Sequence, residues 1–219
     1  MIKGVIFDMD GVLVDNMRAH FEAFAELAKR YHITESPCKD FGSLNGRGNE
    51  DVIRALVPAE IVEAHGVEAL GREKEAIYRQ IFEATIEPNV GLVALLEELE
   101  AAGIPCAVGS SGPSENVGFV LRHCGIERFF AARISGDMVT KCKPDPEIFL
   151  TAADCLGLEP EECLVFEDAV SGIMAAQAAG MKVVALTTTH TADELLAKVK
   201  PDLVVPNFEP LTLAQLQAL

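Results

Sequence analysis

The strongest constraint on the fold is an alternation of short apolar runs with stretches of helical spacing, from about residue 86 to the end of the chain. Leu92 to Ala102 carries leucines at helical intervals before Gly103, and Ser171 to Ala179 ends before Gly180, a residue type that commonly terminates helices. The apolar runs predict five strands, at Ile104 to Gly109, Ala132 to Ser135, Cys163 to Phe166, Lys182 to Leu186 and Leu203 to Val205. Strands that alternate with helices predict a parallel sheet covered on both faces, and therefore an α/β fold.

The first 85 residues contain one further strand and a long helical segment. The apolar run Val5 to Phe7 predicts a buried parallel strand. Residues 15–85 instead carry apolar positions at helical intervals, at His20, Phe24, Leu27, Tyr31, Val52, Ile53, Leu56, Ile77 and Ile81. We therefore predict a Rossmann-like, doubly wound core formed by residues 1–14 and 86–219, with an α-helical cap domain at residues 15–85. Hinges are expected near Val14 to Asn16 and Ile86 to Gly91.

Length and composition indicate a globular protein. The chain has 219 residues, 49% of them apolar, enough to bury a full core. No charge-free run reaches the ~20 apolar residues that span a bilayer, and the N-terminus lacks a signal-peptide pattern, so we expect a cytoplasmic protein. The six cysteines form no C-x-x-C pair, which indicates neither disulfides nor zinc. No heptad seam or apolar stripe requires a partner, and we expect a monomer.

The charge balance restricts the ligands. A formal net charge of −16 disfavours nucleic acid and anionic membranes, because both require a basic face to neutralise phosphates. An acidic protein can still bind a phosphate ester where a lysine, backbone N–H groups or a metal ion make the site locally positive. A phosphate site must therefore be sought where such groups come together.

Acidic and polar residues follow several of the predicted strands. They are Asp8 and Asp10 after the first strand, Ser110 and Ser111 after the strand ending at Gly109, and Glu167 and Asp168 after the strand ending at Phe166. The carboxyl ends of parallel strands share one edge of a sheet, so these residues are expected to meet there. Lys143, which lies before a helix in Lys143-Pro144-Asp145-Pro146, is a candidate for the same edge.

Each of these residues also has a purely structural explanation. Asp10 and Gly11 are typical of a chain-reversing turn. Ser114 is a suitable N-cap for the following helix. Glu167 and Asp168 suit the N-terminus of the helix near Ser171, and Lys143 alone is more typical of a solvated loop. Only their combination at one sheet edge favours a functional site.

A cluster of carboxylates requires a compensating cation, because the like charges would otherwise raise one another's pKa. Oxygen ligands without nearby histidine or cysteine favour a hard divalent ion, and we expect Mg²⁺. The metal would shield a bound phosphate from the acids, while a serine hydroxyl and a lysine ammonium clamp its oxygens. This set of groups is typical of phosphoryl transfer.

In combination, the motifs resemble those of the haloacid dehalogenase superfamily. Its hydrolases carry D-x-D-G-[TV], a serine or threonine after the second strand, a lysine before proline and a late acidic pair, and all four are present here. The stretches KPDP and FEDAVSGIMAAQAAG are similar to the subgroup that contains β-phosphoglucomutase and small sugar-phosphate phosphatases.

The resemblance implies distinct roles for the two aspartates. Asp8 would attack phosphorus and form an aspartyl-phosphate, and Asp10 would act as general acid and then general base. Ser110 and Lys143 would bind the phosphoryl group. The presence of Asp10 argues against dehalogenase chemistry, because relatives that break carbon–halogen bonds do not keep this residue.

The same resemblance implies the magnesium ligands. They would be the Asp8 side chain, the Asp10 backbone carbonyl and Asp168, with Glu167 binding directly or through water.

The helical cap is expected to select the substrate by closing over the site. Candidate substrate-binding residues are Asn16, His20, Asn45, Gly46, Arg47, Lys74 and, in the core, Ser111. His20 has an equal alternative as a packed residue on the inner face of its helix, and Arg47 and Lys74 could be surface charges. The loop around Asn45 and Arg47 resembles the substrate loop of the subgroup.

The remaining question is which reaction such a site performs. A β-phosphoglucomutase-type enzyme needs cations for a second phosphate, but Pro113 and Asn49 stand where the mutase has lysine and arginine. We therefore predict a phosphatase that hydrolyses a small phosphomonoester, with the mutase as the alternative. An alternative of another class is a protein that binds a phosphorylated metabolite without catalysis, because fold alone does not fix function.

Overall fold

The computed structural model describes residues 1–33 and 48–219, and six parallel strands form one sheet within them. The strands are β1 (Gly4–Phe7), β2 (Cys106–Gly109), β3 (Phe130–Ile134), β4 (Cys163–Glu167), β5 (Lys182–Leu186) and β6 (Leu203–Val205). Their order across the sheet is β3-β2-β1-β4-β5-β6, so β1 lies between β2 and β4. The chain therefore moves outward from β1 first in one direction and then in the other, which is the predicted doubly wound arrangement.

The predicted strands all form, but three of them begin at other residues: β1 starts at Gly4, one residue before the predicted Val5. β2 starts at Cys106 rather than Ile104, because Pro105 cannot donate to a ladder and contributes only its carbonyl, which accepts from the Val5 N–H at 3.1 Å. β3 starts at Phe130 rather than Ala132. This strand lies at the edge of the sheet, where exposed residues such as Arg133 interrupt the apolar run that marks the interior strands.

Six helices alternate with strands β2 to β6 along the chain. They are α5 (Leu92–Ala101), α6 (Ser114–His123), α7 (Glu147–Leu156), α8 (Val170–Ala178), α9 (Ala192–Leu196) and α10 (Leu213–Gln217). Alternate residues of β1 show how both faces of the sheet are covered. Val5 and Phe7 pack in one apolar cluster with α5, α6 and α10, whereas Ile6 packs in the other with α7, α8 and α9.

In the described residues between β1 and α5, the chain forms four helices. They are α1 (Met17–Arg30), α2 (Asn49–Leu56), α3 (Ala59–His65) and α4 (Val67–Phe82). Helix α1 packs along α4, and Phe24, Leu27 and Leu70 lie in the same buried apolar cluster. The structure thus contains the helices expected for residues 15–85, while their status as a separate cap domain stays a prediction.

Asn89 joins the two chain segments that connect the sheet to helices α1–α4. Its backbone N–H donates to the Leu13 carbonyl at 2.9 Å, and its side-chain amide donates to the carbonyls of Gly11 at 3.2 Å and Val12 at 2.7 Å. The outgoing and returning segments are therefore hydrogen-bonded to each other beside the Asp10 turn.

Two negative expectations concern cysteines and membranes. In the described part of the chain the cysteines are free, and Cys106 and Cys163 are buried as small core residues. Cys38 lies outside the described residues. Among residues 1–33 and 48–219, none of the helices combines the length and apolar character that crossing a bilayer requires.

Candidate active site

The acidic residues predicted from topology meet at the carboxyl edge of the sheet. Asp8 directly follows β1, Glu167 is the last residue of β4, and Asp168 comes next. The Asp8 N–H donates to the Phe166 carbonyl at 3.0 Å, which joins the ends of these neighbouring strands. Carboxylate oxygens of all three acids lie within 4.8 Å of one another, and all three residues are buried. This separation permits one hard cation to contact all three.

Lys143 lies between two of these acids. Its Nζ donates to Asp8 Oδ1 at 2.6 Å and to Glu167 Oε1 at 2.7 Å, and its side chain is fully buried. The ammonium also lies over the Phe149 ring, 4.6 Å from its centroid. Lys143 is therefore a buried counter-ion and not a solvated loop lysine.

The electrostatics of the cluster show an excess of negative charge. Burial raises the pKa of Asp8 to about 8; the Lys143 ammonium opposes this shift, and the charges of Glu167 and Asp10 add to it. Burial likewise raises the pKa of Asp168 well above its ordinary value, with the charges of Glu167 and Asp8 adding to the effect. One lysine does not compensate three buried acids, so the site favours a further cation.

Two groups orient the acidic pair after β4. Glu167 Oε2 accepts the backbone N–H groups of Asp168 and Ala169, each at 2.7 Å, so Glu167 fixes the segment that leads into α8. Asp168 Oδ2 accepts a short hydrogen bond from the Thr189 hydroxyl. Gly11 has φ of +79°, and a Cβ there would overlap Asp168 Oδ2, so only glycine fits at this turn.

Thr188 and Thr189 are site residues that sequence reasoning missed. They follow β5 at the same sheet edge, and the Thr188 hydroxyl donates to the Gly11 carbonyl at 2.6 Å. The only available signal was their position after a predicted strand, since threonine there carries no distinctive motif.

Asp10 contacts the helical segment. Asp10 Oδ1 accepts from Asn16 Nδ2 at 2.5 Å and lies 3.4 Å from His20 Nε2. Burial alone would raise the pKa of Asp10, but the hydrogen bonds from His20 and Asn16 and the nearby positive charges outweigh it and lower the pKa. Asp10 is therefore held ionised by residues at the start of the helices, and it is not simply a turn residue.

The predicted substrate residues Asn16, His20 and Lys74 form a buried network. His20 stacks on Tyr78 with ring centroids 4.0 Å apart, and the Tyr78 hydroxyl accepts from Asn16 Nδ2 at 2.6 Å. Lys74 Nζ lies 3.2 Å from His20 Nδ1 and 2.5 Å from Glu75 Oε1. Lys74 is therefore not a surface charge. It contacts His20, which in turn contacts Asp10.

A second buried contact joins helix α4 to helix α6. Glu75 Oε2 accepts from Asn116 Nδ2 at 2.7 Å, and Asn116 Oδ1 accepts from Arg79 Nη1 at 2.7 Å. Burial would raise the pKa of Glu75, but the charges of Lys74 and His20 and the hydrogen bonds from Lys74 and Asn116 lower it. Neither Glu75 nor Asn116 was singled out from the sequence, because their pairing joins residues of two distant helices.

The loop after β2 carries the predicted phosphoryl-binding serines. Ser110 is fully buried, and its hydroxyl accepts the Gly112 N–H at 3.1 Å. Ser111 is half-buried and faces a cleft. The expectation that Ser114 is the N-cap of α6 is wrong, because Pro113 occupies that position and Ser114 is the first helical residue.

A cleft of about 1080 Å³ lies between described residues of α2 and α4 on one side and the core loops on the other. Ser111, Lys143 and Glu75 are among its lining residues, whereas Asp8 and Asp10 are not. The predicted substrate residues Asn45, Gly46 and Arg47 lie outside the described residues.

A parallel sheet with acidic residues and a lysine at its carboxyl edge is typical of α/β enzymes, which bind their ligands in the crevice outside the carboxyl ends of the strands. The family model described as haloacid dehalogenase-like hydrolase matches residues 2–180. This match covers most of the chain, which therefore belongs to the haloacid dehalogenase-like hydrolases.

Curated relatives carry names of phosphatases. The chain is 34% identical to validoxylamine A 7'-phosphate phosphatase of Streptomyces hygroscopicus, over 89% of this chain and 90% of the relative. It is also 34% identical to the fructose-1-phosphate phosphatase of Escherichia coli, over 83% and 94% of the two chains.

Solved structures show the same fold. CbbY from Rhodobacter sphaeroides in complex with phosphate has a TM-score of 0.87 at 25% identity, covering 99% of this chain and 100% of that one. β-Phosphoglucomutase from Clostridium difficile has a TM-score of 0.84 at 29% identity, covering 100% and 96%. The relatives thus include proteins named as phosphatases and one named as a mutase.

Proposed function

We propose that this protein is a Mg²⁺-dependent phosphatase that hydrolyses a small sugar phosphate through an aspartyl-phosphate intermediate. The observation that carries the proposal is the buried contact of Lys143 with Asp8 and Glu167, beside Asp168, at the carboxyl edge of the sheet. The names of relatives that act on validoxylamine A 7'-phosphate and fructose 1-phosphate support the substrate class.

In the first step, an Asp8 carboxylate oxygen attacks phosphorus, and the bond from phosphorus to the ester oxygen breaks. The leaving oxygen takes a proton from Asp10, which must be protonated when the step begins. Lys143 and Ser110 bind the phosphoryl oxygens and compensate their charge. The distance of 2.6 Å from Lys143 Nζ to Asp8 Oδ1 supports these roles, because it places the lysine ammonium beside the nucleophile.

In the second step, a water molecule attacks phosphorus of the aspartyl-phosphate and gives a proton to Asp10. The bond from phosphorus to the Asp8 oxygen breaks, which releases inorganic phosphate and restores the Asp8 carboxylate. Asp10 is protonated again for the next cycle. Its contacts with Asn16 and His20 lower its pKa, which suits this base role and opposes the acid role of the first step, so the Asp10 carboxyl must be protonated against these contacts before each cycle.

The donor set fits Mg²⁺. Asp8, Glu167 and Asp168 supply carboxylate oxygens, and the raised pKa of Asp8 and Asp168 indicates that the site lacks positive charge. We propose Asp8, the Asp10 carbonyl and Asp168 as ligands, with Glu167 binding directly or through water. When bound, Mg²⁺ would compensate the charge of the acids and of the phosphoryl group.

Two neutral residues favour hydrolysis over mutase activity. Pro113 and Asn49 both line the cleft, at positions where the resembling mutase has cations for a second phosphate. A sugar bisphosphate would therefore find less compensating charge in this part of the cleft than a monophosphate.

The test is phosphate release from a panel of sugar phosphates, phosphoglycolate, pyrophosphate and nucleotides, with and without Mg²⁺. Wild type should release phosphate from sugar phosphates only with Mg²⁺, and Asp8→Asn should lose at least ~10³-fold in kcat because it removes the nucleophile. Turnover that survives in Asp8→Asn would contradict the mechanism. Faster isomerisation of β-glucose 1-phosphate than phosphate release would identify a mutase, and Mg²⁺ binding without any turnover would indicate a binding protein.

A further inference from the structure

Asp137 accepts three hydrogen bonds, two of which join two loops at the carboxyl edge of the sheet. It lies in a short 3₁₀ turn, Gly136–Met138, directly after β3. Its Oδ1 accepts from the Ser135 hydroxyl at 2.5 Å and from the Ser114 backbone N–H at 3.1 Å, and its Oδ2 accepts from the Ser114 hydroxyl at 2.7 Å. Both oxygens are therefore used within the protein.

This acid supplies the cap that helix α6 lacks locally. The N-cap residue is Pro113, whose side chain has no acceptor for the first helical N–H groups. Asp137 provides that acceptor from the neighbouring loop, and its negative charge lies at the positive end of the ten-residue helix. The start of α6, which follows the Ser110 loop, is thus fixed by a residue from another strand connection.

The backbones of the two loops also approach closely. The Gly136 N–H donates to the Gly112 carbonyl at 2.9 Å, and the Ser110 N–H donates to the Ile134 carbonyl at 3.0 Å. A Cβ at Gly136 would overlap the Ser111 carbonyl, so a side chain at this position would push the loops apart. Asp137 therefore lies where the loop from Ser110 to Ser114 is held in shape by its contacts with the loop after β3.

An acid at this position has an electrostatic cost if the cleft binds phosphate. Asp137 lines the cleft together with Ser111, where its charge opposes an anionic ligand. Burial would raise the pKa of Asp137, but the hydrogen bonds from Ser135 and Ser114 outweigh it and lower the pKa. Asp137 thus stays ionised, and both of its carboxylate oxygens accept hydrogen bonds from the protein.

We propose that Asp137 is a positioning residue that holds the Ser110–Ser114 loop in the shape that binds the phosphoryl group. It acts through Ser114 and the start of α6 and does not contact the substrate. This inference rests on the proposed function, because it takes Ser110 and Ser111 as part of the phosphate site.

The test measures inorganic phosphate binding by calorimetry in the presence of Mg²⁺, together with kcat and KM for the best sugar phosphate. Asp137→Ala should weaken phosphate binding and raise KM, each by about tenfold, with a smaller change in kcat, since the loss of a helix cap and its loop contacts is of that size. Asp137→Asn keeps the Oδ1 acceptor and should restore most of the affinity.

Thr212→Ala is the matched control. Thr212 accepts the Gln215 N–H and caps α10, so its loss removes a helix cap away from the loops that Asp137 joins. This variant should lower the melting temperature without changing KM or phosphate affinity. A merely structural Asp137 would behave in the same way as Thr212.

The outcomes separate the positioning role from the function. Unchanged phosphate affinity and KM in Asp137→Ala, beside an active wild type, would overturn the positioning role and leave the phosphatase intact. Weaker affinity in Asp137→Asn than in Asp137→Ala would also overturn it. A wild type that binds phosphate but hydrolyses no phosphomonoester would refute the proposed function, while the affinities of the variants would still decide the role of Asp137.

Discussion

Lys143 carries its positive charge in the interior of the protein. It is fully buried, and burial would lower its pKa, but the charges of Asp8 and Glu167 outweigh this effect and raise the pKa. A buried lysine of this kind is tolerated only because both acids are within hydrogen-bonding distance. The stability of the sheet edge and the proposed chemistry therefore depend on the same ammonium group.

Lys143→Met should strongly destabilise the metal-free protein, because it leaves two buried carboxylates without their cation. The expected loss in the free energy of unfolding is roughly 3–5 kcal/mol, measured by urea denaturation in EDTA. Lys141→Met is the matched control, because Lys141 is 69% exposed and forms only a surface pair with Asp145 at 3.4 Å. Equal stability of the two variants would contradict the proposed charge compensation.

The sequence predicts single residues well where a motif and a strand end coincide. Asp8, Ser110, Glu167 and Asp168 were assigned to one edge because parallel strands place their carboxyl ends together. Thr189, Asn116 and Asp137 could not be found in this way. Their contacts join residues 21 to 41 positions apart through side-chain geometry, and no local pattern encodes such pairs.

Helices α4 and α6 show how one element can hold another. The Asn116 amide uses both of its ends, donating to Glu75 and accepting from Arg79, so its orientation is fixed. Glu75 in turn contacts Lys74, which lies beside His20 and thus near Asp10. The seating of α4 on α6 is therefore connected with the environment of Asp10.

Asn116→Ala should loosen α4, because it leaves the buried Glu75 carboxylate and the Arg79 guanidinium without a shared partner. We expect about 1–3 kcal/mol lower stability and faster amide hydrogen exchange across Val67–Phe82 than in wild type. Glu115→Ala serves as the control, because Glu115 binds the same arginine but is 73% exposed. Unaltered exchange in α4 would show that the asparagine does not hold this helix.

Strand positions followed from the sequence more reliably than strand boundaries. Lys182–Leu186 and Leu203–Val205 match the predicted ranges, because the apolar runs there end abruptly at Thr187 and at Pro206. At β3 the edge position exposes Ala131 and Arg133 and obscures the start of the strand. β6 also lies at an edge of the sheet, but its three residues are all apolar, so its range is recognisable.

The protein as a whole is strongly acidic, and among the described residues three buried acids cluster at the proposed metal site. Without metal, folding raises the pKa of Asp8 from 3.8 to about 8. Between these values the folded state keeps a proton that the unfolded state has lost. The contribution of Asp8 to stability is therefore greatest at low pH and declines as pH rises towards 8.

Mg²⁺ should reverse this trend, because metal binding displaces the proton and replaces it with positive charge. We expect the increase in melting temperature on adding Mg²⁺ to be larger at pH 8 than at pH 6, and to be smaller in Asp8→Asn. NaCl at matched ionic strength is the control for screening. An equal increase at both pH values, or one that NaCl reproduces, would argue against a specific magnesium site.

The hydrogen bonds of Asn89 have a mechanical consequence. They hold the two connecting segments together, because they fix Gly11, Val12 and Leu13 to the returning chain. Any rotation of α1–α4 relative to the sheet would therefore have its hinge between these hydrogen bonds and the helices. Such a rotation would carry Asn16 and His20 towards or away from Asp10, while the turn that bears Asp8 and Gly11 keeps its shape. The Asn89 hydrogen bonds would thus keep the shape of this turn independent of the position of α1–α4.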